Sequence, residues 1–169
     1  MIHVCSLARL HKTVDDTGAS HVVSLIGLED RVDRPASIAP QNHLWLQMHD
    51  ISEPLDGHIM PGETHVATLI DFVRGWNRRA PLVVHCYMGI SRSTASAYTA
   101  VCALSPHRSE DHIAQALRAA SPTATPNIRI VSLADKILNR GGRMVGAIES
   151  IRRGATIASD AVPFRLDLD

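Results

Sequence analysis

The stretch "LVVHCYMGISRSTASAYTAVCAL" (82–104) decides how this chain folds. It opens on Leu82, Val83 and Val84, a continuous apolar run of the kind found in a strand covered on both faces. From Ser93 onward the residues are small and read as a helix packed closely against a sheet. Between the two lies a short turn holding a cysteine, a glycine and an arginine. Gly89 is free to take positive φ, so the turn can be tight and its backbone amides can face inward. The helix starting near Arg92 adds unpaired N–H groups and the positive end of its dipole. Such a cradle binds a phosphate-like dianion. The Arg92 guanidinium can close over two phosphate oxygens. Cys86 sits at the floor of the same cradle, where a helix N-terminus and a nearby cation favour the thiolate. The pattern predicts a sulfur nucleophile aimed at phosphorus.

Working outward, "IHVCSL" (2–7), "HVVSLI" (21–26) and "HLWLQM" (43–48) read as further strands. Helices are predicted over 7–16, over 62–79 with Val66, Leu69, Ile70, Val73 and Trp76 on one stripe, and over 109–121 behind Ser109. Another is predicted over 125–142, with Thr125 as cap, Pro126 in the first helical position and Gly141 at the stop. The tail "FRLDLD" alternates and fits a late edge strand or a docked extended segment. Strand–helix alternation followed by a run of helices predicts an α/β fold: a short central, mostly parallel sheet flanked by helices in a three-layer sandwich. At 169 residues the chain suits one domain, 1–169, with a core over about 1–140 and a C-terminal helix and tail over 141–169.

Seventeen basic residues balance seventeen acidic ones, which gives no global case for nucleic acid or an anionic membrane. Any anion site must be local. Cys5, Cys86 and Cys102 are an odd count without CxxC spacing, against a disulfide framework or a thiolate metal site. The N-terminal "MIHVCSLARLHK" has no signal-peptide pattern, and no apolar stretch is long enough to span a bilayer. The expectation is a cytoplasmic protein.

The residues "HCYMGISRST" (85–94) resemble the active-site signature of cysteine-dependent protein tyrosine phosphatases, His-Cys-x5-Arg followed by Ser or Thr. The form Cys-x-x-Gly-x-Ser-Arg-Ser looks most like the dual-specificity branch, in its compact bacterial form. The resemblance implies that Cys86 attacks phosphate and forms a cysteinyl-phosphate intermediate, and that neither metal nor cofactor is needed. It implies that the amides of Tyr87, Met88, Gly89, Ile90, Ser91 and Arg92, with the Arg92 guanidinium, hold the equatorial oxygens. Ser93 would steady the thiolate as it departs, and His85 would hold the loop backbone and help keep Cys86 ionised. The family's general acid lies on an upstream loop, and "HLWLQMHDISEPLDG" (43–57) supplies Asp50 right after a strand, with Asp56 and Glu53 as alternatives. Pro54 and Gly57 suit a loop that closes over substrate. A protonated acid working with an ionised cysteine implies a bell-shaped, mildly acidic pH–rate profile. "TPNIRIVSLADKIL" (125–138) resembles the family helix whose asparagine braces the phosphate loop; Asn127 takes that place, or is simply a polar residue at a helix start.

The implied function is a phosphomonoester hydrolase acting on phosphorylated protein or peptide, phosphotyrosine first, phosphoserine and phosphothreonine in the dual-specificity case. The rival keeps the mechanism and changes the substrate to an inositol phosphate, phosphoinositide or nucleotide. None of Tyr87, Met88, Ile90 and Ser91 is basic, which ranks it second. A module that binds phosphorylated partners without hydrolysis comes third, and sulfur transfer or arsenate reduction fourth. Several residues have plainer readings. Cys5 and Cys102 read as core, with a role as resolving partner for oxidised Cys86 the lesser reading. His43, His49, His58 and His65 gather around the acid loop without metalloprotease spacing. Arg31 and Arg34 stand among Glu29, Asp30 and Asp33, which makes a solvated loop the better reading than a substrate contact.

Overall fold

The computed structural model describes residues 1–169. Its strands are β1 (Ile2–Ser6), β2 (His21–Ile26), β3 (His43–Gln47), β4 (Leu82–Cys86) and β5 (Phe164–Leu166). Its helices are α1 (Leu10–Thr17), α2 (Glu63–Gly75), α3 (Arg92–Leu104), α4 (Glu110–Ala120), α5 (Ile128–Ile137) and α6 (Arg143–Ser150). One sheet runs in the order β3-β2-β4-β1-β5. The first four strands pair in parallel, and β5 pairs antiparallel to β1 at the edge. The chain has the predicted α/β architecture, and the alternating tail resolves into an edge strand.

The sheet needs cover on both faces because its strands are apolar at successive positions. Ile2, Val4, Val23, Leu25, Leu82 and Val84 point into the larger core, against helices α2 to α6. Cys5, Val22, Ile26 and Val83 alternate to the other face, where α1 and the 27–42 segment cover them through Leu10, Val14, Val32 and Ile38. Helix α3 lies innermost: Ala95, Ala97 and Ala100 are fully buried, and their small side chains let the helix approach the sheet. Tyr98 is the bulky exception, its hydroxyl shared between the Glu110 and Met144 carbonyls.

Helices α2 and α5 are shorter than the sequence reading. Helix α2 ends at Gly75 rather than near residue 79. Trp76 turns extended and its indole donates to the Ala80 carbonyl, while Arg78 adopts φ +60°. The predicted 125–142 helix begins after Asn127, whose side chain, not that of Thr125, accepts from the N–H groups of Arg129 and Ile130. It stops where Asn139 adopts φ +53°, and Gly141 and Gly142 turn the chain into α6. The Asp135 carboxylate then accepts from the Gly142 and Met144 amides, which caps α6 from a neighbouring helix. No helix is long and apolar enough to cross a membrane.

Candidate active site

Strand β4 lies at the centre of the sheet, and the functional loop leaves its carboxyl end, the usual location of ligand sites in open α/β sheets. Gly89 at φ +75° makes the turn, and a Cβ there would lie 2.9 Å from the Cys5 carbonyl carbon and 3.0 Å from the Ser6 nitrogen. The loop is pinned from outside through its carbonyls. Tyr87 O accepts from Leu7 N (3.2 Å), Met88 O from Ala161 N (2.9 Å) and Ile90 O from Thr125 N (2.9 Å). In a trans peptide the next N–H points opposite to the carbonyl, so the amides of Met88, Gly89 and Ser91 turn inward. Gly89 N–H donates to Cys86 Sγ at 3.3 Å, and Ser93 Oγ lies 3.1 Å from the same sulfur. The thiol thus sits under a backbone donor and beside a hydroxyl at the first turn of α3.

Arg92 is 7% exposed. One terminal nitrogen of its guanidinium donates to the Met48 carbonyl at 2.7 Å, and its buried Nε has no partner. A buried donor left unpaired is unfavourable, and an oxyanion seated in the loop would satisfy it. Asp50 follows β3, and its Oδ1 accepts from Ser91 Oγ (2.7 Å) and from Asn127 Nδ2 (2.9 Å). Cys86, Arg92, Asp50 and Asn127 all line one cavity of about 890 Å³. Ile51, Leu55 and Ile128 give part of its wall an apolar surface. Residues 153–157 close another side.

The predicted residues divide as follows. Glu53 lines this cavity and Asp56 does not. His85 lies fully buried, and by strand alternation it faces away from Cys86, with Nε2 2.6 Å from Ser24 Oγ. Ser24 Oγ in turn meets His43 Nε2 at 2.7 Å. Burial pushes the His85 ring down to a pKa of about 3. The ring is therefore neutral, and the expected help in keeping Cys86 ionised is not supplied by an imidazolium charge; His85 braces β4 against β2. His49 Nδ1 accepts from Ile59 N, its Nε2 lies 3.0 Å from Glu29, and its ring packs edge-on against His58. His65 Nδ1 accepts from Gly62 N at the start of α2. No group of three His, Cys, Asp or Glu side chains is placed to hold a metal ion. Burial raises the thiols of Cys5 and Cys102 to about 12, so both sit protonated in the core. Arg31 pairs with Asp33 at the surface, and Arg34 donates to the Ile38 carbonyl. Neither lines the cavity.

Sequence reasoning missed two features. The Ser91 hydroxyl has no role of its own in the sequence pattern beyond the loop, because its contact with Asp50 spans 41 positions and leaves no periodic signal. The 151–161 segment carries no element signature and falls within the expected C-terminal helix and tail, yet its residues 153–157 line the cavity.

No model of a protein family matches the sequence, and no curated protein is similar to it. Solved structures do resemble it. A mouse putative dual specificity phosphatase, solved with zinc tungstate, superposes with a TM-score of 0.60 at 19% identity, over 85% of this chain and 84% of that one. Human DUSP28 gives 0.62 at 18% identity, over 82% and 92%. The PTP-2 phosphatase of Cydia pomonella gives 0.62 at 16%, over 96% and 92%. The chain has the fold of the dual-specificity and tyrosine phosphatases.

Proposed function

We propose that the protein is a phosphomonoester hydrolase of the protein tyrosine phosphatase type, acting on phosphotyrosine in proteins or peptides, with phosphoserine and phosphothreonine as secondary substrates. The observation that carries this reading is the placement of Cys86 Sγ, 3.3 Å from the Gly89 amide and 3.1 Å from the Ser93 hydroxyl, in a cavity shared with Arg92 and Asp50. The phosphoryl group sits between the Arg92 guanidinium and the inward amides, which stabilise charge on its equatorial oxygens. Cys86 sulfur attacks phosphorus, the bond to the leaving oxygen breaks, and Asp50 delivers a proton to that oxygen. Asp50 then takes a proton from water, whose oxygen attacks phosphorus as the S–P bond breaks. The Ser93 hydroxyl donates to the departing thiolate. The apolar wall of Ile51, Leu55 and Ile128 offers a surface for an aromatic ring.

Inositol polyphosphates fit less well. The cations lining the cavity are Arg92 and Arg153, set against Asp50 and Glu53, which leaves little charge for several phosphates. The responsible unit is the whole of 1–169, since its C-terminal segment forms part of the wall. Three cysteines, all buried and unpaired, suit a reducing cytoplasm. Turnover of p-nitrophenyl phosphate tests the reading: Cys86→Ser and Arg92→Ala should abolish it. A wild-type protein that binds phosphotyrosine peptides without releasing phosphate would overturn it in favour of a binding module.

A further inference from the structure

The geometry points to Arg153 as a specificity residue that selects phosphotyrosine peptides carrying a second anionic group beside the phosphotyrosine. This inference rests on the site described above, whose substrate class it narrows. After α6 the chain does not leave the molecule. Arg152 adopts φ +55° and its carbonyl accepts from the Arg118 guanidinium at 2.8 Å, which redirects the backbone toward the phosphate loop. Gly154 N–H donates to Thr125 Oγ1 at 3.1 Å, and Ala155 N–H to the Pro122 carbonyl at 2.9 Å. The segment here lies against backbone so closely that a Cβ on Gly154 would fall 2.5 Å from the Thr123 carbonyl carbon. Further on, the Asp160 carboxylate accepts from Ser6 Oγ (2.7 Å) and Arg9 Nε (2.9 Å), and Ala161 N–H holds the Met88 carbonyl of the phosphate loop. Residues 151–161 thus form a strap, fixed at both ends, whose middle is a wall of the Cys86 cavity.

Arg153 is the one cation this strap presents to the cavity. Arg9, Arg140, Arg143 and Arg165 are each paired with a carboxylate, whereas Arg153 makes neither an ion pair nor a side-chain hydrogen bond. Arg92 is committed to the phosphoryl group above Cys86, so it cannot also take a neighbouring anion. The acid loop, carrying Asp50 and Glu53, repels one. A second anion on the substrate therefore lies on the strap side, where a guanidinium can grip a carboxylate or a phosphate. With one such cation, the site suits a peptide bearing one extra anion and not a polyphosphorylated ring.

The experiment compares kcat/KM for three phosphotyrosine peptides of equal length, with alanine, glutamate or phosphoserine beside the phosphotyrosine. The full chain should favour one or both anionic peptides over the alanine peptide by about five-fold, as expected of a partly exposed, charge-assisted contact. Whichever anion gives the larger ratio identifies the source. Arg153→Ala should bring the ratios to one, Arg153→Glu below one, and Arg153→Lys should retain most of the preference. A wild-type ratio of one, or ratios untouched by Arg153→Ala, would overturn the assignment. Calorimetric affinities of the same peptides for Cys86→Ser keep this separate from hydrolysis. If wild type fails to turn over p-nitrophenyl phosphate, the hydrolase reading falls while the affinity ratios still decide the role of Arg153. Tighter displacement of the anionic peptides by inositol hexakisphosphate than by the phosphoserine peptide would overturn the peptide assignment.

Discussion

Asn127 holds Asp50 with one end of its amide and a helix with the other. Its Nδ2 lies 2.9 Å from Asp50 Oδ1, while its Oδ1 accepts from the Arg129 and Ile130 amides at 3.1 and 3.2 Å. The two tasks need opposite ends of the side chain, so together they fix its orientation. They are also separable by mutation. Asn127→Ala loses both and should cost about 1 kcal/mol of stability through the lost cap. Asn127→Ser keeps a capping oxygen and should restore most of that stability. Both variants lose the donor to Asp50 and should show kcat lowered by roughly ten-fold, the size of one charge-assisted hydrogen bond. Thermal melts and steady-state kinetics on the pair decide the matter: a serine variant with wild-type kcat would mean that Asn127 only caps α5.

The proposal of Asp50 as the acid rests on its position. Of the three carboxylates considered, Asp50 and Glu53 line the cavity, and Asp50 alone is tied to the phosphate loop, through Ser91. Asp50→Asn should lower kcat by roughly two to four orders of magnitude on a phosphotyrosine peptide. The loss should be smaller on p-nitrophenyl phosphate, whose leaving group needs less protonation. Asp56→Asn should stay within about two-fold of wild type, being outside the cavity. A larger loss in Glu53→Gln than in Asp50→Asn would move the role.

The fold was readable in the chain because its deciding signals are local. A run such as "HVVSLI" specifies a strand covered on both faces, and Gly89 followed by Arg92 specifies a turn into a helix. Cys86, Arg92 and Ser93 were readable for the same reason: one strand, one turn and one helical start place all three. What depends on distant partners was not. The neutrality of His85 follows first from its complete burial between strands and covering elements that are distant in sequence, which its own sequence context does not contain. The early stop of the helix expected over 125–142 comes from left-handed Asn139, a residue that can end a helix as glycine does, two positions ahead of the expected stop at Gly141. The strap over the site is held by scattered single hydrogen bonds to Thr125, Pro122 and Ser6, so no periodicity could announce it.

Gly89 and Gly18 share a left-handed backbone, at φ +75° and +63°, but differ in what surrounds them. A Cβ on Gly18 meets nothing within 4 Å, whereas one on Gly89 strikes the β1 backbone. Gly18→Ala should therefore cost only the backbone penalty, about 1–2 kcal/mol. Gly89→Ala should add about 1–3 kcal/mol of overpacking and displace the amide that faces Cys86. Urea midpoints and p-nitrophenyl phosphate turnover on both variants test this. Similar stability losses in the two, with activity kept in Gly89→Ala, would show that the loop tolerates what the geometry forbids.

The buried, neutral His85 makes stability depend on pH. Its ring titrates near 6.5 when exposed and near 3 in the fold, because burial opposes the charged form. Between those values the unfolded chain holds a proton that the folded chain does not, so protons favour unfolding there. This contribution is complete above about pH 6.5 and is lost as pH falls toward 3, at about 1.4 kcal/mol per pH unit for one proton. His3, His21, His43 and His65 are also lowered by burial and add slope of the same sign. Replacing the ring by a side chain that does not titrate isolates the His85 share. His85→Asn will lose stability at pH 7, since the Ser24 contact is reshaped, but its unfolding free energy should fall less steeply between pH 6 and 4.5 than that of wild type. Denaturant unfolding across that range measures both slopes. Parallel slopes would mean that His85 titrates in the fold as it does in the unfolded chain, and that the ring meets the Ser24 hydroxyl as an imidazolium in the acid range.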